Sequence, residues 1–117
     1  MADYQRPPGK TTVSPGVLMA IARMAALGVP GVKGVGRASG GVHGLFRRPA
    51  DEGVQMTIED GQLSGDIYLV LKGNVNIREV GREVQNQVAR AIQEMIGTPV
   101  LRIDVHVEDI DYDLAEA

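Results

Sequence analysis

The sequence predicts an α+β fold: a two-layer sandwich in the order α-β-β-β-α-β, with a mostly antiparallel sheet and two helices on one face. Three observations predict it. Apolar residues recur at helical spacing in two stretches, each bracketed by start and stop signals. Strictly alternating runs of strand character lie between and after them. One of these runs doubles back through Asp60-Gly61, the dipeptide favoured in a two-residue hairpin turn. The sheet then has one apolar face to cover, and the two amphipathic helices are the elements available to cover it.

The first helix is expected over residues 15–27. Ser14 suits the N-cap and Pro15 the first helical position, where a missing N–H costs nothing. Val17, Leu18, Ile21, Ala22 and Ala25 share one face, Gly28 stands at the C-cap, and Pro30 prevents continuation. A short strand follows around 32–37, weakened by its glycines. Residues 39–53 carry Gly, Pro and charge without periodicity, a long connection by the standards of a compact domain.

The hairpin is the clearest element. Val54, Met56 and Ile58 alternate with polar residues up to the turn, and Leu63, Gly65, Ile67, Leu69 and Leu71 hold the odd positions after it. A two-residue turn pairs Glu59 with Gln62, Ile58 with Leu63, Met56 with Gly65 and Val54 with Ile67. Turn chemistry and apolar pattern thus choose the same register. The second helix is expected over about 77–96, capped by Asn76 with Glu79 three residues on and ended by Gly97 and Pro99. Its inward stripe is Ile77, Val80, Val84, Val88, Ala91, Ile92 and Met95; Arg82 and Arg90 fall on the solvated side. In the last strand, about 99–108, Leu101, Ile103, Val105 and Val107 point one way.

A chain of 117 residues fits one domain, here 13–110, preceded by a disordered arm at 1–12 and followed by an acidic tail at 111–117. The absence of cysteine excludes disulfides, thiolate nucleophiles and thiolate zinc sites. A net charge of −3 and an aromatic content of 3% argue against general attraction to nucleic acid or anionic lipid, and against base stacking. The apolar stretch from Val13 to Ala22 falls short of the roughly 20 residues of a membrane span, and no signal peptide is visible. A cytoplasmic location is expected, with no direct membrane insertion.

The chemistry-bearing fragments are weak. Gly9-Lys10-Thr11 lacks the upstream glycine of a phosphate-binding loop, because Tyr4 stands there. Gly34-Val35-Gly36 lacks the third glycine of a dinucleotide fingerprint, because Ser39 stands there. Gly31-Val32-Lys33-Gly34 and Gly41-Val42-His43-Gly44 match a GxxG clamp, but neither joins two helices. His106, between Asp104 and Glu108 on one strand face, reads as part of a solvated ionic ladder with Arg102. No catalytic, cofactor-binding or metal-ligating set emerges, and the chain is not expected to be an enzyme.

Partner-binding candidates are sharper. Phe46-Arg47-Arg48 places the only Phe beside two arginines in the 39–53 segment, the composition of a binding hot spot. Tyr68 and Val70 interrupt an otherwise polar pattern on the outer face of the hairpin, marking a second surface for self-association or a partner. A reading of a different class is a small RNA-binding module that uses Lys33, Arg37, Arg47 and Arg48.

SPGVLMAIARMAALGVPGV at 14–32, DGQLSGDIYLVLKGNVNIREVGREVQNQV at 60–88 and IGTPVLRIDVHVEDI at 96–110 resemble the alkaline shock protein twenty-three family of bacterial cell-envelope stress proteins. The chain is similar to its short members. The resemblance implies a non-enzymatic cytoplasmic protein of envelope stress response and homeostasis. It also implies an interaction or scaffold role, with protein partners that include itself or a membrane-anchor protein holding it at the membrane periphery. No cofactor is implied, and nucleic acid is not an expected partner.

Overall fold

The computed structural model describes residues 8–36 and 53–112. Helix α1 runs Pro15–Leu27, β1 Val32–Val35, β2 Val54–Glu59, β3 Gln62–Lys72, α2 Ile77–Met95 and β4 Val100–Asp111. This is the expected α-β-β-β-α-β order. The sheet is antiparallel except where β4 runs parallel to β3, and both helices lie on its apolar face, α1 against β1 and β2 and α2 against β4.

Strand β3 is the hub. Its register with β2 is the expected one throughout, Ile58 opposite Leu63 and Val54 opposite Ile67. Asp60 and Gly61 both take positive φ (52° and 77°), as a type I′ turn requires. Met56 lies over Gly65, where an added Cβ would come within 2.5 Å of its sulfur, so this glycine makes room for its cross-strand neighbour. On the other edge, β4 pairs with β3 from Leu63 to Lys72. With that edge filled along its whole length, β1 and β2 share the opposite edge end to end: Val35 faces Leu69 and Val54 faces Ile67.

The core is one cluster. Leu63, Ile67, Leu69 and Leu71 of β3 and Val84, Val88 and Ile92 of α2 are fully buried, joined by Leu18, Ile21, Ala22 and Ala26 of α1. Fully burying an aliphatic side chain of this size stabilises by about 1.5–3 kcal/mol, so these seven carry much of the driving force. Asn76 caps α2 by accepting from the Glu79 amide at 3.0 Å. The C-terminus of α2 closes on Gly97, whose amide donates to the Gln93 carbonyl at 3.0 Å from a left-handed φ of 84°.

Four side-chain assignments differ from the sequence reading. Val17 is exposed, because the buried face of α1 is centred on Leu18, Ala22 and Ala26, one side round from it. Ile77 and Met95 are exposed because they occupy the terminal turns of α2, beyond the inner stripe Val80–Ile92. Leu101 is exposed because β4 contains an extra residue there. Val100 pairs with Leu63 and Arg102 with Ser64, so Leu101 has no partner and Val100 packs on the core instead. A second shift at Glu108 turns Ile110 inward opposite Leu71, which extends the strand past its expected end at 108. Ser14 is the N-cap through its carbonyl only, accepting from Val17 at 3.0 Å, and its hydroxyl makes no cap bond.

The turn is directly testable. Gly61→Val should lower stability by about 1–2 kcal/mol, because a β-branched residue resists positive φ, whereas Gly61→Asn should stay within a few tenths of a kcal/mol of the parent. Chemical denaturation of the three proteins checks both values.

Candidate interaction surfaces

Two of the candidate residues, Tyr68 and Val70, lie at even positions of β3, on the face turned away from the helices, and both are half-buried. The parallel pairing sets His106 of β4 opposite Tyr68, and the two rings stack with centroids 4.6 Å apart at 19°. His106 Nε2 lies 2.9 Å from Asp66 Oδ1. Arg102 pairs with Asp104 as expected, but His106 is drawn to β3 rather than to its neighbours on β4. The outer face therefore carries an aromatic pair flanked by carboxylates and by the aliphatic Val70. Among the described residues no group of three or more His, Cys, Asp or Glu is arranged to hold a metal ion.

The backbone of Tyr68 occupies the junction between β1 and β2. Its carbonyl accepts from the Gly36 amide and its own amide donates to the Gly53 carbonyl, both at 2.8 Å. Gly36 and Gly53, which flank residues 37–52, thus meet at this one strand residue. Gly53 has φ 84°, and a Cβ there would come within 2.5 Å of the Gly36 nitrogen, so Gly36 and Gly53 meet in backbone contact. Phe46, Arg47 and Arg48 lie outside the described residues, as do Arg37 and His43. The ends of the segment that carries them are anchored on the strand residue that presents the Tyr68 ring. No sequence pattern announced this, because it depends on two separate strands sharing one edge.

Of the basic set read as an RNA-binding alternative, Lys33 forms an ion pair with Asp111 at 3.5 Å, and the other three members lie outside the described residues. A shallow groove of about 390 Å³ runs between α2 and β4, floored by Ile77, Gly81, Val105 and Val107 and rimmed by Arg78 and Arg82. Gln85 donates to the Ile103 carbonyl at 3.1 Å beside it, tying helix to strand. The groove holds no acid, base or nucleophile arranged for reaction. No described helix is long and apolar enough to cross a membrane.

Gly53→Ala should destabilise by about 1–3 kcal/mol, since it adds both a positive-φ cost and a backbone clash. In hydrogen exchange the Tyr68 amide should lose protection more than the Leu63 amide, which bonds the Pro99 carbonyl on the far side of the sheet.

Comparison with known proteins agrees with the fold. An uncharacterized protein of Streptococcus pyogenes is 31% identical over 104 residues, covering 87% of this chain and 79% of the relative. The uncharacterized protein YqhY of Bacillus subtilis is 28% identical over 107 residues, covering 90% and 79%. A solved structure of a point variant of MamM-CTD superposes with a TM-score of 0.52 at 15% identity, over 84% of this chain and 100% of that one; the likeness is one of fold. The family of alkaline shock protein twenty-three, described as having a cell envelope-related function, matches residues 4–112. On this match the chain belongs to the alkaline shock protein twenty-three family.

Proposed function

We propose that the protein is a non-enzymatic interaction or scaffold protein of the cytoplasm, serving envelope stress response and homeostasis by binding another protein. The observation that carries this reading is the junction at Tyr68. Gly36 and Gly53, which flank the segment bearing Phe46, Arg47 and Arg48, both bond the strand residue whose ring, with Val70, lies on the outer face of the sheet. Arginine side chains suit carboxylates, which guanidinium groups meet as planar forks, and aromatic side chains such as Phe46 and Tyr68 suit an apolar patch. Family membership supports the envelope setting. The surface commits no side chain to chemistry: Tyr68 stacks, His106 pairs with Asp66, and Arg102 pairs with Asp104.

The test combines crosslinked capture from the cell of origin with thermal unfolding. Replacing Phe46, Arg47 and Arg48 together by Ala should leave the melting temperature within about 2 °C of the parent, because none belongs to a periodic apolar face. The same change should remove the captured protein, and capture by the parent should weaken as salt is raised. Capture retained by the triple variant at unchanged stability would contradict the proposal, and retention of RNA in its place would favour the alternative reading.

A further inference from the structure

Among the described strands β4 pairs with β3 alone, so its far edge is open. Tyr68 uses its amide and carbonyl on Gly53 and Gly36, which leaves the odd residues of β3 to bond β4. In a parallel ladder their partners Ile103, Val105 and Val107 then turn their own backbone groups outward. Gln85 of α2 already takes the Ile103 carbonyl, at 3.1 Å. Beside Val105 and Val107 lies the groove under α2, where Arg78, Gly81, Arg82 and Gln85 form one flank of the helix. Two features of this flank serve nothing within the fold. Gly81 sits in the helix interior, where glycine is unfavourable, yet an added Cβ would only reach ordinary contact, 3.8 Å from Val105. Arg78 and Arg82 stand four residues apart, where like charges repel, and the helix dipole opposes Arg78. Among the described residues neither arginine has an ion-pair partner, whereas Lys33, Arg90 and Arg102 each have one.

We propose that the open edge of β4 takes up an extended acidic segment of a partner protein as a fifth strand of the sheet. A row of outward amides and carbonyls is matched by another backbone, and main-chain bonds of this kind supply affinity whatever the partner's sequence. The groove supplies the selection. Alternate residues of an added strand face α2 at a spacing of about 7 Å. An aliphatic side chain seated over Gly81 and Val105 places carboxylates two residues before and after it. One carboxylate then lies toward Arg78 and Val107, the other toward Arg82 and Ile103, and guanidinium groups bind both as planar forks. The recognised pattern is acidic, any, aliphatic, any, acidic. The regular edge ends at the shifts at Leu101 and Glu108, so the footprint is small and the binding reversible. This site lies on the opposite side of β3 from Gly36 and Gly53, and it is separate from the Tyr68 surface.

The probe is the acetylated and amidated peptide Glu-Thr-Val-Thr-Glu, titrated into the isotope-labelled full chain and followed in amide NMR spectra. Saturable shifts are expected at the Val105 and Val107 amides. They should vanish when the interior residues of the peptide are N-methylated, since its backbone then cannot donate. The Gln-Thr-Val-Thr-Gln peptide should bind at least about tenfold more weakly, and so should the parent peptide to the joint variant Arg78→Gln, Arg82→Gln. Gly81→Leu should remove binding while melting no lower than the parent, because leucine fills the groove and is the better helix former. Absence of shifts at millimolar peptide, or equal binding of the N-methylated form, would overturn strand addition. Octanoate giving the same shifts and displacing the peptide would assign the groove to a small amphiphilic anion instead. Shifts of Val105 and Val107 with protein concentration alone would assign the edge to a second copy. The joint change of Phe46, Arg47 and Arg48 to Ala should leave the titration unchanged, so the two surfaces are tested separately.

Discussion

The fold depends on one strand being hydrogen-bonded along both edges while burying one of its faces. Strand β3 does this: β4 fills one edge, β1 and β2 together fill the other, and Leu63, Ile67, Leu69 and Leu71 face the helices without exposure. A central strand leaves no backbone group for water to satisfy, and the register of its neighbours is then set by which side chains must be buried and, for β2, by the turn. The helices then follow. Val84, Val88 and Ile92 of α2 and Ala22 and Ala26 of α1 reach the same apolar layer, and with no Trp and a single Phe in the chain the layer is built of aliphatic side chains. Glycine serves this layer where space runs out, as at Gly65 beneath Met56.

The same ladder explains how two separate strands can share one edge without harming the sheet. Gly36 and Gly53 bond the two sides of one residue, Tyr68, so the ladder continues across the interruption with both of its groups satisfied. Edge strands are where a sheet is exposed to unwanted pairing, and a break in the strand is one way of blunting that edge. The residues that flank the break, Gly36 and Gly53, are held there by backbone bonds. Tyr68 itself is half-buried, its ring stacked on His106.

Much of this was legible in the sequence because local and long-range signals agreed. Helix α1 begins and ends where Ser14, Pro15 and Gly28 put it, and the β2–β3 register followed from Asp60-Gly61 and the alternation around it. What escaped reading depends on non-local pairing. The parallel match of β4 to β3 brings Asp66 to His106, and no spacing within β4 announces a partner forty residues away. The two shifts in β4, at Leu101 and Glu108, are invisible to a pattern of alternation because each adds one residue to a ladder that the sequence alone does not display. Val17 was misplaced for the opposite reason. Helix α1 is apolar on both sides, so periodicity offered two faces and could not choose between them. Of the candidate residues, the types were legible, and the junction of β1 and β2 at Tyr68 was not.

The central proposal is that residues 37–52 serve partner binding. Its most direct test is to replace that segment with a short glycine linker joining Gly36 to Gly53, then to measure cooperative unfolding and crosslinked capture on the same protein. A cooperative melt close to the parent's, with the captured protein gone, is the predicted result. A chain that no longer unfolds cooperatively, or one that still captures the same protein, would contradict the account.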